Sequence, residues 1–70
     1  MGTINIYQDN KLIKTFENVD SDFCAFKWLL DHQGQSTDYA IRYGGYKVEI
    51  IDNETGEKDY WQPYNRINAK

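Results

Sequence analysis

The chain reads as a small α+β domain, ββααββ, with an antiparallel sheet that carries both helices on one face. Three observations predict this. Apolar and polar residues alternate toward both ends, a central segment has helical spacing closed by a glycine, and turn residues stand where the alternation breaks. The alternative is ββαβββ, with residues 38–43 as a strand.

The first segment, "TINIYQDNKLIKTF" (residues 3–16), predicts a β-hairpin. Ile4 and Ile6 alternate with Thr3, Asn5 and Tyr7, and Asp9-Asn10 tolerate the positive φ of a two-residue turn. That turn sets Tyr7 opposite Leu12 and Ile6 opposite Ile13. Ile4, Ile6 and Ile13 then share one face, and Tyr7, Leu12 and Phe16 share the other. The hairpin is thus apolar on both sides, and only one side can meet the helices.

"NVDSDFCAFKWLLDHQG" (18–34) predicts a helix from about residue 21 to 33. Asp20 or Ser21 serves as the cap, Asp22 suits the positive end of the helix dipole, and Gly34 ends the helix. Phe23, Phe26, Leu29 and Leu30 form an apolar stripe expected to lie on the sheet. Cys24, Trp28 and His32 follow at intervals of four on a different face, beside Ala25.

"QSTDYAIRYGGYKVEI" (35–50) can fold in two ways. As a hairpin, Tyr39, Ile41 and Tyr43 alternate, Gly44-Gly45 turns, and Tyr46, Val48 and Ile50 alternate back. As a helix, Ser36 caps, Asp38 sits in the first turn, Arg42 in the last, and Gly44 takes the left-handed position. Tyr39, Ala40 and Tyr43 then make a stripe for Trp28 and Cys24. The helix is preferred because it gives Trp28 a partner.

"YKVEIIDNETGEKDYWQPY" (46–64) predicts a hairpin connected by Asn53 to Gly56. Val48 faces Trp61 and Ile50 faces Asp59 on one side, and Glu49 faces Tyr60 on the other. Pro63 marks a strand end. "YNRINAK" (64–70) reads as a loosely held tail.

Seventy residues are expected to form a single domain over 1–70, close to the lower limit for folding without staples. One cysteine excludes an internal disulfide. No apolar run is long enough to cross a membrane, and no signal peptide is read at the N-terminus, so the expected location is cytoplasmic. Ile, Asn, Lys and Tyr supply 25 of the 70 residues, all with A/T-rich codons, which suggests a bacterial, phage or mobile-element source.

Cys24 and His32 are the only soft-ligand or nucleophile candidates, and about 12 Å of helix separates them. They fit a small core residue and a helix-end residue, so neither a catalytic nor a metal site is expected, and no cofactor. "DNETGE" (52–57) lacks the alternating ligands of a calcium loop and reads as a polar turn.

Eleven aromatic residues exceed what one thin core hides. Tyr7, Trp28, Tyr39, Tyr43, Tyr60 and Tyr64 are the candidate protein-interface residues, because Tyr and Trp anchor interfaces. A net charge of −3 and pI near 4.9 make nucleic acid a poor partner and favour a protein with a basic surface. A homodimer is another way to cover apolar surface. The expectation is a non-catalytic binding module, an accessory or inhibitor protein of a phage or mobile element docking on a host protein. The alternative is a nucleic-acid-binding regulator whose helices over 21–33 and 37–43 form a helix–turn–helix, although Asp38 stands where a recognition helix needs cations.

Overall fold

The computed structural model describes residues 1–61. In chain order the elements are β1 (Gly2–Gln8), β2 (Lys11–Val19), α1 (Phe23–Gln33), α2 (Thr37–Tyr43), β3 (Tyr46–Asp52) and β4 (Lys58–Tyr60). They form the expected ββααββ domain. The four strands make one antiparallel sheet in the order β2-β1-β3-β4, so both hairpins join through the β1–β3 pair.

Both turn residues of the first hairpin are left-handed, Asp9 at φ 52° and Asn10 at φ 68°, as a two-residue turn demands. Tyr7 pairs with Leu12 as expected. The expected Ile6–Ile13 pair does not form, because the register shifts between Ile6 and Tyr7 and puts Lys14 opposite Ile6. A single extra residue in β2 accounts for this. It also brings Phe16 opposite Ile4, on the core side rather than the side of Tyr7.

Ile4, Ile6 and Val48 are buried against Ala25 and Leu29 of α1 and Ala40 of α2. Each such aliphatic side chain contributes about 1.5–3 kcal/mol by leaving water. The helix stripe read from sequence holds in part, with Leu29 buried and Phe26 half-buried but Phe23 and Leu30 turned outward. Phe23 is 67% exposed and Leu30 53%, while Ala25 and Leu29 are fully covered. Small Ala25 lets the α1 backbone come close to the strands, which a phenylalanine there would prevent. Cys24 and Trp28 flank the buried line and pack against the core.

Asp22, not Asp20 or Ser21, occupies the capping position of α1, and its side chain makes no capping bond. Gly34 closes α1 in the left-handed conformation, its N–H donating to the Leu30 carbonyl at 2.8 Å. Residues 37–43 are helical, and the Ser36 hydroxyl accepts from the Tyr39 N–H at 3.2 Å. The left-handed residue after α2 is Gly45 (φ 78°), not Gly44. Gly44 answers a different demand, for a Cβ there would lie 2.9 Å from both the Ala40 carbonyl and the Tyr46 ring. The second hairpin has its expected register, with Glu49 opposite Tyr60, Ile50 opposite Asp59, and the Trp61 N–H donating to Val48 at 2.9 Å. Pro63 and the 64–70 segment lie outside the described residues.

Candidate functional site

Odd-numbered residues of β1 and β3 point away from the helices, and there the sheet is uncovered among the described residues. Cross-strand pairing sets Asn5 between Thr15 and Glu49, Tyr7 between Leu12 and Lys47, Thr3 beside Ile51, and Glu49 beside Tyr60. Glu49 lies at the centre and is only 5% exposed. A carboxylate withdrawn from water must be well paired, and this one is. Its Oε1 accepts from Asn5 Nδ2 at 3.0 Å and from the Tyr7 hydroxyl at 3.2 Å. Its Oε2 accepts from the Tyr60 hydroxyl at 3.1 Å and stands 3.9 Å from Lys58 Nζ. Asn5 in turn accepts from the Thr15 hydroxyl at 2.8 Å, which fixes its amide.

Donation by Asn5 lowers the Glu49 pKa below its ordinary value, with the Tyr60 and Tyr7 hydroxyls and Lys58 acting the same way and burial opposing them. The two tyrosines are held protonated in return. Burial, then the Glu49 charge and hydrogen bond, raises Tyr7, whereas for Tyr60 the hydrogen bond to Glu49 leads. Lys47 Nζ lies over both rings, 5.2 Å from the Tyr7 centroid and 5.4 Å from that of Tyr60. The network gathers two phenols and an amide around one carboxylate, with Lys58 beside it and the Lys47 ammonium over the phenol rings.

The other candidate interface residues lie elsewhere. Tyr39 (47% exposed) and Tyr43 (72%) touch each other on the outside of α2, ring centroids 5.1 Å apart. They do not cover Trp28 and Cys24 as expected, because Thr37 and Ala40 are the residues α2 buries. Trp28 is half-buried and packs against the core; it stacks on the exposed His32 at 4.4 Å, and His32 meets the edge of Tyr46 at 6.4 Å. Tyr64 lies outside the described residues. Sequence reading missed Asn5, Lys47 and Glu49; the Glu49–Tyr60 pairing was the one available signal.

Two concavities also open on the described surface. One, of about 980 Å³, opens at the end of the sheet where Asp20, Asp22, Asp52, Glu54, Glu57 and Asp59 gather. Val19, Ile4 and Ile50 also line it. The other, of about 410 Å³, is bounded by Phe26, Leu30, Thr37 and Trp61. Trp61 meets Phe26 edge-on at 5.5 Å there, and the buried Thr37 hydroxyl has no hydrogen-bond partner among the described residues. Among the described residues no three His, Cys, Asp or Glu side chains converge as metal ligands, and no helix is long and apolar enough to cross a membrane. Comparison with protein-family models, curated proteins and solved structures gives no match.

Proposed function

We propose that this protein is a non-catalytic module that docks on a partner protein. The observation carrying this reading is that helix and strand present large aromatic side chains at the surface: Tyr60 is 38% exposed on β4, and Tyr39 and Tyr43 on α2 are more so. Exposed tyrosines on ordered backbone form interface anchors at little entropic cost. Around the acid-rimmed concavity the complementary partner surface is basic, which is the partner that a net charge of −3 favours. A role as an accessory or inhibitor protein of a phage or mobile element rests on codon composition alone.

Affinity capture tests the proposal. Immobilised full-length protein is exposed to bacterial lysate with and without nuclease. The expected result is a stoichiometric protein partner that survives nuclease and is lost in Tyr43→Ala or Tyr60→Ala. Retention only of material that nuclease removes would overturn it in favour of nucleic-acid binding.

A further inference from the structure

The formal charge of the whole chain does not describe its uncovered sheet face. The carboxylates of the chain gather mainly at the loops and the sheet end, whereas the open face has Glu49 at its centre with Lys47 and Lys58 on either side. Glu49 is roofed over and saturated by Asn5, Tyr7, Tyr60 and Lys58, so it offers little to a partner. The cations are accessible. Lys47 is exposed and rests on two rings, and the Lys58 side chain is 60% exposed. Between and around them stand half-buried Tyr7 and Ile51 and the exposed Leu12 and Tyr60. The surface therefore carries two solvent-accessible lysines, Lys58 beside Glu49 and Lys47 on the tyrosine rings, among apolar, aromatic and hydroxyl side chains.

From this juxtaposition we infer that the helix-free sheet face binds an acidic peptide segment of a partner protein, whose carboxylates pair with Lys47 and Lys58 while its apolar side chains lie on Tyr7, Leu12, Ile51 and Tyr60. The inference rests on the docking-module reading and names the partner chemistry for this face. A second copy of the chain is a poor occupant, because stacking two such faces opposes lysines to lysines with only the saturated Glu49 between them. Single-stranded nucleic acid is the weaker anion. The neighbouring acidic end repels an extended phosphate backbone.

The test is an amide-shift titration of the isotope-labelled full-length chain with three probes: a short peptide alternating glutamate and leucine, its lysine–leucine counterpart, and an oligothymidylate. The glutamate peptide is expected to shift Tyr7, Lys47, Glu49 and Tyr60 saturably, and less as salt rises. Lys47→Ser/Lys58→Ser should weaken it by about tenfold, as the loss of two exposed ion pairs implies, and Lys47→Arg/Lys58→Arg should restore it. Unchanged amide dispersion of both variants confirms that they fold. Binding of the lysine peptide alone, at the acidic end, overturns this inference and leaves the docking-module reading standing. Shifts of this face by oligothymidylate alone replace the peptide with nucleic acid. No shift with any probe overturns the inference, while the lysate capture judges the broader reading independently.

Discussion

On β1 and β3 successive residues go to opposite sides of one sheet, and the two sides are stabilised by different physics. Ile4, Ile6 and Val48 face α1 and α2 and lose almost all contact with water. Asn5, Tyr7 and Glu49, their sequence neighbours, meet no helix and build a hydrogen-bonded plate in which a central carboxylate is covered by its own donors. The first side depends on volume and tolerates no cavity. The second depends on complementarity between a charge and its donors, so it is sensitive to pH and to single polar atoms. A stable fold needs the first. The second adds a network of polar contacts on the side that no helix covers among the described residues.

Breaking the covered side should have the largest effect. Ile6→Ala removes a fully buried side chain beneath both helices, and a loss of about 2–5 kcal/mol is expected. For a chain of this length that approaches the whole stability, so urea denaturation should find the variant largely unfolded. A midpoint close to wild type would mean that the core lies elsewhere.

Glu49→Ala should cost less, about 1–3 kcal/mol, since it strands the donors of Asn5, Tyr7 and Tyr60. Glu49→Gln should cost less again, and the difference between the two measures how much of the plate depends on charge. Equal stability of Glu49→Ala and wild type by the same denaturation assay would reduce the network to decoration.

The pH dependence sharpens the contrast, because only the open side should titrate. The folded-state pKa of Glu49 is lowered, so its contribution is complete above the unfolded value of about 4.3 and is lost as pH falls through the folded value. Tyr7 and Tyr60 are raised. Their contribution is therefore present below the unfolded value of about 10 and lost as pH rises through the folded value. Stability measured against pH should fall at both ends for wild type, and Glu49→Gln should flatten the acid limb and weaken the alkaline one. An unchanged profile in that variant would contradict the assignment.

The smallest effects belong to residues on neither side of the sheet. Phe23→Ser and Tyr43→Ser alter side chains exposed by 67% and 72%, and each should change stability by no more than about 0.5 kcal/mol. Tyr43→Ser is nevertheless expected to weaken partner capture. A large stability loss in either would show that a surface described here as free is packed.

Much of the fold was legible because local signals carried it. Asp9-Asn10 tolerate the left-handed backbone that their turn requires, and Ser36 announced α2. The Glu49–Tyr60 pair followed from the length of its connection. What failed was decided at longer range. Spacing alone ranks α1 faces by hydrophobicity and placed Leu29 correctly, but it also favoured Phe23 and Leu30, where close approach to the sheet selected Ala25. The register shift that moved Phe16 to the core side has no sequence mark of its own. The plate itself joins Asn5 to Glu49 across 44 positions, through a β1–β3 pairing that no local pattern specifies. Edge strand β2 adds a lesson about assembly. Two register shifts and the cations Lys11 and Lys14 hinder its pairing with a further strand, so a homodimer built on that edge is disfavoured.

The most direct test of a plate organised by Glu49 is the titration of its side-chain carboxyl by NMR in the full-length protein, with the Tyr7 and Tyr60 ring signals followed in the same samples. The expected midpoint lies below the ordinary glutamate value, with the signals of both rings moving in step as the carboxylate protonates. A midpoint at or above that value, with the rings indifferent to it, would contradict the central claim about this face.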